Sequence, residues 1–154
     1  MTTDDDEIQY NKSLLGVEHE VGVFEVTKEK ILGFAISTGE TDPVFIDEEK
    51  AKESKHGGLI APPTFCNIFA GDIKRPDIGL EFGDLGFHAG QAIEYSNPVR
   101  PGDTLTAKTK LKEVYPKTGR SGKMVFEVWE TSFTNQRGDT AATVRESFVH
   151  RSKT

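Results

Sequence analysis

The sequence predicts a single α+β domain, and three observations carry that prediction. A chain of 154 residues, 35% of them hydrophobic, is long enough to bury roughly two-thirds of its unfolded surface around one core. Its apolar residues recur with a helical period up to about Gly79 and alternate after it, so helices precede strands. The single cysteine, Cys66, excludes an internal disulfide and leaves packing to hold the fold.

In the first half, a short strand at 21–26 leads to Thr27, a residue suited to capping the helix behind it. Glu29 falls in the first turn, where its charge suits the helix dipole. That helix carries Ile31, Leu32, Ala35 and Ile36 on its apolar side and ends near Gly39. A second short helix is expected at 47–54, opened by Asp47 as N-cap ahead of Glu48 and Glu49 and stopped by Gly57 and Gly58. A third begins at Pro62-Pro63, since N–H groups of a first turn have no intrahelical acceptor.

After Gly79 the first strand places Phe87, Gln91, Ile93 and Tyr95 on one face, which puts His88 on the other. The next sets Leu105, Ala107, Leu111 and Tyr115 against Thr106, Lys108, Lys110 and Lys112. The run 123–135 is apolar on both sides, with Met124, Phe126 and Val128 on one and Val125, Trp129 and Phe133 on the other, and reads as the central strand. The last sets Ala142, Val144 and Phe148 against Thr143, Arg145 and Ser147. Asn97-Pro98, Pro101-Gly102, 116–122 and 135–138 supply the turns. With one early strand these make a curved antiparallel five-stranded sheet wrapped around a central helix, whose apolar residues 64–70 cover one face. Open edges of such a sheet are usually closed by another chain, so dimerisation is expected. Residues 1–16 are expected as an acidic flexible tail and 17–151 as the domain.

Several function classes drop out. With 19 basic and 25 acidic residues the formal net charge is -6, which leaves no broad basic footprint for nucleic acid. No apolar run approaches the ~18 residues of a membrane span. Asp4, Asp5, Asp6 and Glu7 stand where a secretory signal needs basic residues, so the cytoplasm is expected. His19, His56, His88 and His150 are scattered and match no metal-ligand spacing, so no metal is expected. Cys66, between Phe65 and Asn67 in an apolar stretch, reads as a small hydrophobe rather than a nucleophile. The loop 117–123 superficially resembles a phosphate-binding loop, but its glycines are two residues apart instead of four and a strand follows it, so nucleotide hydrolysis is rejected.

Two stretches go beyond pattern. Gly39-Glu40-Thr41-Asp42-Pro43-Val44-Phe45-Ile46-Asp47, followed by Gly57-Gly58-Leu59-Ile60-Ala61-Pro62-Pro63-Thr64-Phe65, resembles the overhanging segment and central-helix start of the MaoC-like (R)-specific enoyl-CoA hydratases. His88-Ala89-Gly90-Gln91, leading to Pro98-Val99-Arg100-Pro101-Gly102-Asp103, resembles the strand and turn that follow in the same hot-dog fold. The resemblance covers about 17–151. It is closest to the N-terminal type of MaoC-like domain and to the non-catalytic subunits of mycobacterial (3R)-hydroxyacyl-carrier-protein dehydratases. It implies reversible hydration of a trans-2-enoyl thioester carried on coenzyme A or an acyl carrier protein, with no further cofactor.

That chemistry needs a carboxylate and an imidazole to activate one water, and an N–H to bind the thioester oxygen. In active members the first two come from a Gly-Asp-x-Asn-Pro-x-His stretch and the third from a glycine at the helix start. Here Glu40 aligns with the Asp, Asp42 with the Asn, Phe45 with the His, and Pro62-Pro63 with the helix-start His-Gly pair. A phenyl ring transfers no proton, and Pro63 has no N–H. An oxyanion donor is worth about 3 kcal/mol and a positioned base about 10² to 10⁴ in rate, so no catalysis by the usual dyad is expected.

Glu40, Asp42 and His88 are the fallback acid–base candidates. Against them stand a solvated or capping Glu40, a loop-orienting Asp42 and an interface His88. The resemblance implies substrate-binding roles for Pro63, Thr64, Phe65, Phe69 and Gln91, as walls of a tunnel for an acyl chain. Lys117, Arg120 and Lys123 are candidate contacts to the phosphates of coenzyme A or to an acidic carrier protein, weighed against basic hairpin tips that serve only solubility. Lys74 and Arg75 form a second such patch. The leading expectation is an acyl-binding subunit whose dyad lies on a partner chain. Its rivals are a self-sufficient homodimeric hydratase and a non-enzymatic acyl-CoA-binding or regulatory protein.

Overall fold

Alternation of side chains along the second half produces four of the five strands: β2 (Leu85–Tyr95), β3 (Thr104–Gly119), β4 (Gly122–Thr134) and β5 (Thr140–Arg151) follow the early β1 (Glu18–Glu25). All neighbouring pairs are antiparallel and the order across the sheet is β1-β3-β4-β5-β2. The doubly apolar β4 is therefore the central strand, as its composition predicts. This computed structural model describes residues 8–152; the acidic run 4–7 of the expected tail lies outside them.

The helical half follows its capping signals. Helix α1 (Lys28–Ser37) starts where the Thr27 Oγ1 accepts from the Lys30 N–H at 3.1 Å. It ends at Gly39, whose φ of +77° a glycine takes without strain. Ile31 and Ala35 are buried, but Ile36 is 70% exposed and belongs to the outer side of the helix. Asp47 caps α3 (Glu48–Lys52) through the Lys50 N–H. Between them sits an unexpected single turn, α2 (Pro43–Ile46), which Asp42 caps at the Val44 N–H, 3.0 Å away, with Pro43 at the first helical position.

The segment after Pro62-Pro63 is a 3-10 helix, Phe65–Asp72, and no side chain caps it at Thr64. Phe, Cys, Asn and Ile are indifferent α-helix formers, so packing against the sheet holds this turn. Phe65, Cys66 and Phe69 are buried in one cluster with Leu105, Ala107, Phe133, Ala142 and Val144, which defines the inner face of the sheet. Phe69 stacks on Phe24 at 4.5 Å between centroids, and Phe65 meets Phe69 edge-on at 5.7 Å.

The far half of the inner face is covered differently. Ile78, Leu111 and Trp129 form a second cluster, packed by Tyr10, Leu14, Leu80, Val114 and Phe148. Residues 8–16, expected as tail, are thus tied down where the structure describes them. The Asn11 N–H donates to the Ile78 carbonyl at 2.7 Å, and the Gly16 N–H to that of Leu111 at 2.9 Å. Tyr10 and Leu14 gain burial by lying on the sheet, which outweighs the ordering cost of a free tail.

Two register slips change which residues face inward. A bulge between His88 and Gly90 moves the first part of β2 to the opposite phase, so His88 lies opposite Phe148, and Gln91 opposite Glu146. Strict alternation places His88 away from Gln91, Ile93 and Tyr95; the slip puts it on their face and sends Phe87 to the other, where Arg151 lies over its ring. A second slip between Leu111 and Glu113 turns Tyr115 onto the outer face, stacked on Phe126 at 5.1 Å.

Gly83 precedes β2 with φ +71°, and a Cβ there would lie 2.6 Å from the Arg151 carbonyl oxygen. Gly83→Ala should therefore destabilise the chain by about 2 kcal/mol or more, whereas Gly71→Ala meets nothing within 4 Å and should leave stability within about 0.5 kcal/mol. Urea denaturation of the two variants checks the contrast.

Candidate functional site

The inner face of the β4–β5–β2 end carries polar groups in phase with its apolar ones. Cross-strand pairing sets Trp129 opposite Glu146, Glu127 opposite Phe148, Gly86 opposite His150 and His88 opposite Phe148. Gly86, His88, Glu127, Trp129, Phe148 and His150 line a cavity of about 500 Å³ together with Phe87 and with Arg75, which arrives from the segment beyond the 3-10 helix. Glu146 borders the cavity through its contacts with Arg75 and His88.

Glu146 is the organising charge. Its side chain is 8% exposed; Arg75 Nη2 donates to its Oε1, and His88 Nε2 is hydrogen-bonded to its Oε2 at 3.0 Å. A carboxylate this buried needs a hydrogen-bond partner on each oxygen to offset its desolvation. Phe148 packs between them, with the Arg75 guanidinium 5.3 Å from its ring centroid and the His88 ring edge-on at 5.4 Å. Alongside lies a second couple. His150 Nε2 meets Glu127 Oε1 at 3.1 Å, while the Trp129 indole N–H donates to Glu127 Oε2 at 2.5 Å. The absent side chain at Gly86 makes room for it, since a Cβ there would stand 3.3 Å from His150 Nδ1.

An imidazole held by a carboxylate through one nitrogen presents the other for hydrogen bonding or proton exchange. Of the fallback acid–base candidates only His88 joins the cavity; Glu40 and Asp42 do not line it. Asp42 is occupied as the α2 cap, and Glu40 closes α1 through its backbone N–H to the Ala35 carbonyl at 2.9 Å. Phe45 is half-buried in α2. Among the residues read as tunnel walls, Phe65 and Phe69 are fully buried against Phe24, Phe34 and Phe133 and do not line the cavity. Pro63, Thr64 and Gln91 are exposed.

Lys117, Arg120 and Lys123 sit at the β3–β4 hairpin tip, where Gly119 pairs with Gly122, and none lines the cavity. Lys123 Nζ stands 5.8 Å from the Phe82 ring centroid. Arg75 does not form a patch with Lys74; it turns inward to Glu146. Among the described residues no cluster of three or more His, Cys, Asp or Glu side chains is arranged to hold a metal ion, and no helix is long and apolar enough to cross a membrane.

Sequence reasoning missed Arg75, Glu127, Trp129 and His150 as cavity residues and Glu146 as the acid behind them. For three of them a signal existed: Glu146 and His150 are in phase with Ala142, Val144 and Phe148, and Glu127 is in phase with Trp129. An acid on the apolar face of a strand marks a site that must be paired.

A five-stranded antiparallel sheet carrying one helix on its inner face defines a hot-dog domain, and similar proteins extend that reading. The family described as FAS1-like, dehydratase domain region, matches residues 13–144. A UPF0336 protein of Streptomyces griseus is 38% identical over 96 residues, 59% of this chain; the match spans 63% of the relative's own length. The MaoC-like dehydratase from Rhodospirillum rubrum aligns with a TM-score of 0.69 and 25% identity, over 93% of this chain and 97% of that one. A chain of the truncated HadBC (3R-hydroxyacyl-ACP dehydratase) complex from Mycobacterium tuberculosis aligns with a TM-score of 0.73 and 23% identity, over 88% of this chain and 96% of its own. The chain belongs to the FAS1-like dehydratase-region family, within the MaoC-like hot-dog dehydratases and hydratases.

Two predictions test the packing of this region. Glu146→Ala strands the Arg75 guanidinium, 17% exposed, and should cost about 3 kcal/mol or more, much of it recovered when Arg75→Met is added to Glu146→Leu; chemical denaturation reads both. Burial pushes the Cys66 thiol up to about 12, so it stays protonated until the pH approaches that value. A disulfide reagent at pH 8 should label it only after unfolding, and rapid labelling of the native chain would contradict the burial.

Proposed function

We propose that this chain is the acyl-thioester-binding subunit of a (3R)-hydroxyacyl thioester dehydratase, the acid–base dyad being supplied by a partner hot-dog chain. The observation that carries this reading is the fate of the overhanging segment: Asp42 is spent on capping α2, and Phe45 stands where the resemblance calls for an imidazole. At the helix start Pro63 offers no N–H to a thioester oxygen.

The need for a partner is supported at the other end of the sheet. β2 pairs with β5 on one side and with no strand on the other among the described residues, and most of its eleven residues are exposed. An unpaired strand of this length is a template for a second chain. The HadBC complex supports a hot-dog chain as that partner. The substrate would be carried on coenzyme A or an acyl carrier protein, with Lys117, Arg120 and Lys123 as contacts to its phosphates and no further cofactor.

One observation favours a second reading, a self-sufficient homodimeric hydratase: His88 is coupled to Glu146 beside a cavity. It is the weaker reading because the His88–Glu146 couple lies away from Glu40, Asp42, Phe45 and Pro63, the positions that the resemblance assigns to the chemistry.

The test is hydration of crotonyl-CoA. The purified chain alone should show no turnover above background, and activity should appear on adding a hot-dog chain that co-purifies with it and carries an Asp-x-Asn-Pro-x-His segment. Turnover by the chain alone that disappears in Glu40→Gln or His88→Ala overturns the proposal in favour of the homodimer. Thioester binding with no turnover in any pairing favours a non-enzymatic binding protein.

A further inference from the structure

The cavity beside β2 is not a dry slot, and its composition selects among the acyl chains it can hold. Trp129 and Phe148 supply apolar surface for a hydrocarbon stem. Phe87 adds a third apolar side chain, and the remaining ones, Arg75, His88, Glu127 and His150, are polar and already half-paired. His88 and His150 each hold a carboxylate through Nε2 and leave Nδ1 without a hydrogen-bond partner among the described residues. The Nε–H of Arg75 is buried and likewise has no partner.

Three kinds of chain end can be compared. A plain alkyl end would displace water from these nitrogens and put nothing in its place, and the buried Arg75 Nε–H left unpaired weakens binding by about tenfold. A carboxylate end would meet two carboxylates, Glu127 and Glu146, and one permanent cation, Arg75, that is already committed to Glu146. An uncharged hydroxyl meets neither objection. It both donates and accepts, so it matches an imidazole nitrogen in either tautomer while its carbon stem lies on Phe148 and Trp129.

The cavity is also separate from the segments that the family's chemistry uses, since Glu40, Asp42, Phe45 and Pro63 do not line it. Resting on the acyl-thioester reading above, we propose that this pocket takes an acyl chain bearing a hydroxyl group beyond the carbons that react, bound by His88 and His150, each held in place by its own glutamate.

Calorimetric titration of the full-length chain, as recovered with whatever hot-dog chain accompanies it, tests this with four probes: octanoyl-CoA, 3-hydroxyoctanoyl-CoA, 8-hydroxyoctanoyl-CoA and suberyl-CoA. The 8-hydroxy thioester should bind about tenfold more tightly than octanoyl-CoA, and suberyl-CoA more weakly than either. In His88→Phe and His150→Phe the hydroxyl preference should collapse to under about twofold. Equal or tighter binding of octanoyl-CoA by the unaltered chain overturns the inference while leaving the acyl-thioester reading intact, and so does a preference confined to the 3-hydroxy probe. Absence of binding by all four overturns both. The comparison of probes on the unaltered chain decides the matter even if a variant fails to fold.

Discussion

A carboxylate that is nine-tenths buried must be paired on every side that water has left, and Glu146 imposes that constraint on two separate parts of the chain. It draws Arg75 in from the segment beyond the 3-10 helix and His88 in from β2. The first contact directs the path of the chain that then packs Ile78 and Leu80 onto Leu111 and Trp129. The second places an imidazole on the wall of the cavity. Without the carboxylate, Arg75 would have no reason to leave solvent, and His88 would lose the partner that holds it at the cavity.

The two halves of the inner face are consequently different materials. Toward the 3-10 helix, Phe24, Phe65, Phe69 and Phe133 interlock, with ring centroids 4.5 to 6.5 Å apart. At the other end β4, β5 and β2 carry Glu127, Glu146, His150 and His88, and the packing opens into a cavity. Aromatic interlock excludes guests, whereas ion-paired groups with fixed hydrogen-bond directions resist collapse onto one another. The fold thus sets an aromatic core beside a polar-walled cavity on neighbouring stretches of one sheet.

Much of this was legible from residue order. Thr27 and Asp47 announce their helices because capping is a local bond spanning three residues. β4 reads as central because both its faces are apolar. The single turn α2 escaped notice because four residues carry too little periodicity to register. Helical spacing puts Ile36 inward, yet it is exposed, because the face a helix buries depends on what it packs against. The candidate site was less legible. The strand pattern beside Phe148 contained Glu146 and His150 in phase, but nothing local says whether an acid on an apolar face finds a cation.

The amino-acid sequence by itself determined the order of helices and strands, the helix starts and the departures at Phe45 and Pro63 from the hydratase pattern, since each is a property of neighbouring residues. Tertiary structure alone decided that His88 faces inward and that Arg75 crosses to Glu146. A one-residue slip in β2 reverses the facing of every residue before it, and that slip is set by the hydrogen-bond ladder with β5, nearly sixty residues away along the chain from His88 to Glu146.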